Sequence, residues 1–104
     1  MERGEIWWAA LPAPMGRRPV VVVSRSRAIQ VRQSVTVAAI TTVIRKIPVE
    51  VPLGPEEGLP KRCVANCDTL NTIPKHLLSQ RVSALPAEKL RVLNAALRFA
   101  LAVD

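Results

Sequence analysis

The sequence predicts a mainly β protein: a strongly curved antiparallel sheet or small barrel, closed by a C-terminal α-helix. Three observations carry this expectation. The stretch RRPVVVVS, Arg17 to Ser24, contains an unbroken β-branched run from Val20 to Val23, which suits a strand covered on both faces. A second apolar run, TVAAITT from Thr36 to Thr42, ends in two threonines. Near the C-terminus, Leu90, Leu93, Leu97, Ala100 and Leu101 recur at three and four residues, the spacing of one apolar helix face.

Gly4 to Ala10 reads as the first strand, with Ile6, Trp8 and Ala10 on one face and Trp7 and Ala9 on the other. Two large aromatics on opposite faces require cover on both sides, whether from core, a ligand or a second subunit. Leu11 to Gly16 is a turn-rich loop stiffened by Pro12 and Pro14. It delivers the chain to the second strand, where Pro19 is tolerated because its missing N–H falls before pairing begins. Arg18 is therefore held at the rim of a sheet. Arg25 to Gln33 is polar and basic and reads as a solvated connection or a phosphate-steering rim. Thr36 to Val43 is the third strand, and Arg45 and Lys46 mark a turn. Ile47 to Leu53 is a fourth strand that Pro48 and Pro52 confine to a sheet edge. After the loop Gly54 to Lys61, Cys63 to Cys67 and Thr69 to Ile73 read as two short strands interrupted near Asp68. Pro74 to Ser79 holds a helical turn, and Gln80 to Ala84 is a last strand. Pro86 stands where a helix begins, and Lys89, Arg91 and Arg98 lie off its apolar stripe. The architecture expected is of the SH3-like barrel type.

A chain of 104 residues has room for one domain and one core, so a single domain is expected over 1–104. Its 49% apolar content exceeds what so small a core can absorb and points to an oligomer interface. A formal charge of +7 favours an acidic partner: nucleic acid, acidic protein or membrane surface. No stretch reaches the ~18 consecutive apolar residues of a membrane span. MERGEIWW lacks the long apolar segment and cleavage site of a signal peptide, so a cytoplasmic protein is expected. Cys63 and Cys67 would lie ~13 Å apart on one extended strand, too far for a disulfide, which needs Cα atoms within about 7 Å. They read as reduced, buried thiols.

Several activities are set aside at once. The sequence contains no P-loop, no GxGxxG, no metal-ligand cluster and no Ser-His-Asp set, and His76 is its single histidine. A two-histidine ribonuclease mechanism is impossible, and no cofactor or metal is expected. What remains is Arg18 with Thr41. A guanidinium fork beside a hydroxyl is a phosphodiester-binding pair. The structural alternative gives Arg18 a salt bridge to Glu5 or Asp68 and leaves Thr41 as ordinary strand composition.

GEIWW (Gly4 to Trp8), G-x-RPVVVVS ending at Ser24, TVAAITT, EVPL (Glu50 to Leu53) and NCD-x-L-x-TIPK (Asn66 to Lys75) together resemble the MazF/PemK toxin family of small bacterial endoribonucleases. The match spans nearly the whole chain, in the same order and with similar spacing. The resemblance implies a CcdB/PemK-type small barrel. It implies that Arg18, before the strand proline, and Thr41, the first threonine of ITT, carry catalysis. The implied reaction is metal-independent attack of an RNA 2′-hydroxyl on its own 3′-phosphate, leaving a 2′,3′-cyclic phosphate and a 5′-hydroxyl. Preorganised donors would stabilise the charge developing at phosphorus. An arginine is a poor base at neutral pH; either it is strongly perturbed or catalysis is mainly electrostatic and orientational. Ser24 and Arg25 match polar positions after the second strand. Asp68 and Thr69 match an acidic-polar pair, although glutamine is common where Thr69 stands. Arg17, Thr42 and Arg45 neighbour the catalytic pair and are expected to hold flanking phosphates of single-stranded RNA. The resemblance further implies a homodimer inhibited by a cognate antitoxin with an acidic flexible tail, which suits a +7 protein. One departure stands out: the loop between the first two strands, often D-P-x-x-G-S-E-Q, is here the shorter ALPAPMG without acid or glutamine. Cleavage-site sequence therefore does not transfer.

The competing expectation is a CcdB-like gyrase-binding toxin of similar fold without nuclease activity. Its tryptophan-glycine-isoleucine ending is replaced here by Ala102-Val103-Asp104. A non-catalytic nucleic-acid-binding barrel is the third reading that charge alone allows.

Overall fold

The computed structural model describes residues 1–104 and shows six strands and two helices. The strands are β1 (Glu5–Leu11), β2 (Gly16–Val22), β3 (Ser34–Thr41), β4 (Glu50–Leu53), β5 (Cys63–Pro74) and β6 (Leu78–Ala84). Helix α1 (Ser26–Val31) joins β2 to β3, and α2 (Ala87–Leu101) closes the chain. All recorded pairs are antiparallel, in the order β4-β5-β3-β2-β1-β6. The sheet curls into a half-barrel whose two edges are β4 and β6. No hydrogen-bond ladder joins those edges. The loop between β4 and β5 bridges the gap instead, with Ser83 Oγ donating to the Glu57 carbonyl at 2.6 Å.

Curling divides the apolar residues between two cores. Alternation along β2 sends Val21 to one, with Ile6, Ile40, Val51, Ala65 and Leu93, and sends Val20 and Val22 to the other, with Ala9, Val37 and Ile73. The expected burial of β2 on both faces is thus met, because each face has its own core. Trp7 packs on the second core and donates its indole N–H to Glu5 at 2.9 Å. On α2, Leu93 and Ala96 are buried while Leu101, counted in the apolar stripe, is exposed. As expected, β4 is an edge strand, with Pro52 exposed on it.

Several boundaries differ from the sequence expectation. β2 begins at Gly16, so Arg17, Arg18 and Pro19 already pair with β1 and the proline does not precede the pairing, and β6 begins at Leu78. The basic connection after Ser24 is not wholly solvated: α1 forms there, because Ala28 and Ile29 are buried while the arginines face out. No side chain caps its N-terminus, so the usual start signal is missing. The two strands expected around Asp68 are one strand, β5. Its register against β3 jumps between Ala38↔Leu70 and Ala39↔Asn66, so Cys67 to Thr69 form a bulge. β3 leaves the sheet after Thr41, earlier than Val43. The fourth strand begins at Glu50, because the preceding segment turns back on the Glu50 carboxylate. That carboxylate is 7% exposed and accepts the backbone N–H groups of Arg45 and Lys46 at 2.9–3.1 Å. Lys46 adopts φ 58° to allow this.

No helix is long and apolar enough to cross a membrane. Cys63 and Cys67 are buried and unbridged. Burial pushes both thiols up, Cys67 to about 11, with Glu57 adding to the effect at Cys63 and Asp68 at Cys67.

Candidate active site

Strand register decides which polar side chains meet. β2 and β3 pair as Val20↔Ala39, Val21↔Ala38 and Val22↔Val37. Continuing that register by two residues sets Arg18 opposite Thr41. Pro19 cannot donate to the ladder, and Thr41 is the last residue of β3, so the strands part here and leave their polar ends at a rim.

Around that rim lies a cleft of about 300 Å³. Arg17, Arg18 and Pro19 of β2, Ile40 and Thr41 of β3 with Thr42 beyond it, and Trp8 of β1 form part of its lining. Arg18 is half-buried, and its Nε donates to the Met15 carbonyl at 3.1 Å. This bond fixes the direction of the side chain and leaves the two terminal nitrogens of the fork for a ligand. Arg17 lies over the Trp8 ring, 4.5 Å from its centroid, a cation–π contact that holds a second guanidinium at the same mouth. Thr41 Oγ1 accepts the Val43 N–H at 3.2 Å, and its own hydroxyl proton remains available for donation.

The salt-bridge alternative for Arg18 is not realised. Its proposed partner Glu5 is engaged by Arg81, at 3.2 Å, in the one salt bridge of the chain. Burial raises the Glu5 pKa, but hydrogen bonds from Trp7, the Glu2 backbone and Arg81, with the N-terminal charge, outweigh it and hold the carboxyl below the usual range.

The remaining expected site residues lie elsewhere. Ser24 and Arg25 line a second cleft, of about 410 Å³, at the opposite end of β2. Its hydroxyl-rich lining includes Ser34, Thr36 and Thr72, with Arg32 as a further cation. Ser24 Oγ accepts the Thr36 N–H at 2.7 Å, and Thr36 Oγ1 bonds Thr72 Oγ1 at 2.7 Å. Asp68 and Thr69 occupy the bulge of β5 between the strand ends that border the two clefts. Arg45 is exposed on the loop after β3, its backbone tied to Glu50. The structure therefore gathers Arg17, Arg18, Thr41 and Thr42 at one cleft and Ser24 and Arg25 at another.

Sequence reasoning missed one wall of the first cleft. Leu59, Pro60, Lys61 and Cys63, from the β4–β5 loop and the start of β5, complete its lining. No local pattern in GLPKRC marks these residues, because their proximity to Arg18 arises from sheet curvature.

Comparison with known proteins identifies the family of the chain. Residues 2–101 match the family model described as PemK-like, MazF-like toxin of type II toxin-antitoxin system. The chain is 38% identical over 99 residues to a probable endoribonuclease MazF5 of Mycobacterium tuberculosis, covering 94% of this chain and 90% of that protein. Among solved structures, Mycobacterium tuberculosis toxin MazF-mt6 is similar with a TM-score of 0.88 at 33% identity, over 96% of this chain and 98% of that one. A mycobacterial endoribonuclease in complex with its cognate antitoxin superposes with a TM-score of 0.89 at 27% identity, over 100% and 97% of the two chains. These matches leave the gyrase-binding alternative unsupported. The chain belongs to the PemK-like, MazF-like toxin family of type II toxin–antitoxin systems.

Proposed function

We propose that the protein is an endoribonuclease toxin, one domain over residues 1–104, that cleaves single-stranded RNA without a metal ion in the cytoplasm. The observation that carries this reading is the cleft at which Arg17, Arg18, Thr41 and Thr42 stand together. Its relatives' names, endoribonucleases among them, support the same activity. The RNA 2′-oxygen attacks the adjacent phosphorus, and the 5′-oxygen departs, leaving a 2′,3′-cyclic phosphate and a 5′-hydroxyl. The Arg18 fork and the Thr41 hydroxyl meet the negative charge that grows on the phosphate oxygens. A cleft rimmed by Arg17 and Arg18 is a favourable seat for a phosphodiester and a poor one for a cation, which is why no metal is invoked.

Ser24 and Arg25 in the second cleft, Arg45 on the loop after β3, and Asp68 and Thr69 on the β5 bulge bind nucleotides on either side of the scissile bond. The arginines suit phosphates, and the Asp68 carboxylate suits a base amino group. The expected result is that chelation by EDTA leaves the cleavage rate unchanged and that sequenced products carry cyclic phosphate ends. Complete loss of activity in EDTA, restored by magnesium, would sink the metal-free mechanism.

The active form is a homodimer, neutralised by a cognate antitoxin with an acidic segment. Exposed apolar residues support the dimer: Val31 at the end of α1, Phe99 and Leu101 in the last turn of α2 and Val103 just beyond it are 56–67% exposed, and Leu101 lines the second cleft. The charge of +7 suits an acidic inhibitor that competes with RNA, and a similar mycobacterial endoribonuclease is solved in complex with its cognate antitoxin. Sedimentation at micromolar concentration should return twice the chain mass of 11.4 kDa; a clean monomer counts against the dimer.

A further inference from the structure

We propose that Lys61, on the loop between β4 and β5, is the general acid of the cleavage reaction and protonates the departing 5′-oxygen. The proposal rests on the nuclease reading above and supplies the proton-moving residue that Arg18 and Thr41 leave unassigned. The titratable side chains lining the cleft are Arg17, Arg18, Lys61 and Cys63, with neither a histidine nor a carboxylate among them. A guanidinium does not give up a proton in proteins, and a threonine hydroxyl is a far weaker acid than an ammonium. Cys63 is 5% exposed and packed in the first core, and its short side chain cannot leave that core to meet a substrate oxygen. Lys61 is exposed, on a four-carbon stem, and its ammonium carries a transferable proton.

The surroundings of Lys61 set it apart from the other lysines. Lys75 donates to the Ile29 carbonyl and Lys89 to the Pro52 carbonyl, and Lys46 lines a different hollow. Lys61 has no such tie, and the chain's one salt bridge lies elsewhere. Yet its loop is firmly seated. Glu57 Oε1 accepts the Gly54 N–H at 2.7 Å, and Ser83 Oγ holds the Glu57 carbonyl. Gly58 turns at φ +84°, where an added Cβ would stand 3.1 Å from Val82 Cγ1. Leu59 on one side of Lys61 and Cys63 on the other are both buried. A free ammonium on an anchored stretch that lines the same cleft as Arg18 and Thr41 is what proton delivery requires.

In the step proposed, the 2′-oxygen bonds to phosphorus as the bond from phosphorus to the 5′-oxygen breaks. Solvent water takes the 2′-hydroxyl proton, Lys61 gives its own to the 5′-oxygen, and the resulting amine is reprotonated from solvent. No net proton is consumed.

The test compares two substrates containing a site that the parent protein cuts: ordinary RNA, and the same RNA with sulfur replacing the scissile 5′-oxygen. A sulfur leaving group needs no proton. Parent, Lys61→Ala and Lys61→Arg are assayed on both, after thermal unfolding shows each to be folded. Lys61→Ala should lose about 100- to 10,000-fold on ordinary RNA, the usual worth of general acid catalysis, and recover most of that loss on the sulfur substrate. Lys61→Arg keeps the charge and should still be slow on ordinary RNA. A lysine that only neutralises charge predicts the reverse: rescue by arginine and an undiminished defect on sulfur. Either of those results, or a Lys61→Ala protein as fast as the parent on ordinary RNA, overturns the proposal while leaving the nuclease reading intact. A parent protein that cuts no RNA overturns the nuclease reading and this proposal with it.

Discussion

Arg18→Ala is expected to remove RNA cleavage while leaving the protein folded. Losing one preorganised donor to the transition state typically costs ~2.7–4 kcal/mol of barrier, about 100- to 1,000-fold in rate, and Arg18 supplies a charged fork where most such donors are neutral. The fold depends on Arg18 far less. The side chain makes one hydrogen bond, to the Met15 carbonyl, worth about 0.5–1.5 kcal/mol, and it takes no part in the salt bridge of the chain. The measurement is a cleavage time course beside a thermal melt of the same sample. Arg18→Lys should not restore the rate, because an ammonium cannot reproduce a planar bidentate donor. Thr41→Val keeps the β-branched shape and removes only the hydroxyl, so it should fold normally and cut more slowly. A folded Arg18→Ala protein that cuts RNA at the parent rate would mean that the strand-end arginine is structural and that the active site lies elsewhere.

The largest effect on stability is expected at Leu93→Ala. Leu93 is fully buried in the first core, on the face of α2 that packs toward β4 and β5. Truncating a core leucine costs about 2–5 kcal/mol, the sum of lost transfer energy and a residual cavity. A domain of this size has roughly 5–15 kcal/mol in all, so the variant gives up a large share of its stability. At about 4–8 °C per kcal/mol for a small domain, the midpoint of thermal unfolding should fall by about 8 °C or more. A shift smaller than that would show that α2 contributes little to the core. Loss of activity in this variant should follow its unfolding, whereas in Arg18→Ala it should not, and that contrast separates the two roles.

Much of this molecule is legible in its sequence, and what is legible is local. The run Val20 to Val23 needs no partner to declare itself a buried strand, because β-branched residues crowd a helix and suit a pleat covered on both faces. The leucine spacing of α2 and the prolines that keep β4 at an edge are likewise properties of short segments. Arg18 and Thr41 stand out for the same reason, each breaking the pattern of an otherwise apolar strand. Tertiary structure decided what meets what. Only the β2–β3 register sets Arg18 opposite Thr41, and a slip of one residue would turn one of them to the other face. The separation of Ser24 and Arg25 from Arg18 and Thr41 follows from their place at the far end of β2, since residues close in sequence diverge by about 3.3 Å per residue along a strand. Helix α1 exists because Ala28 is buried and the second core receives Ile29, and six residues are too few for a helix to form on propensity alone. Lys61 reaches the cleft only because the sheet curls and the β4–β5 loop bridges its edges. It lies 43 positions after Arg18 in the chain, and proximity of that kind is set by the curvature of the whole fold, which no short stretch of sequence encodes.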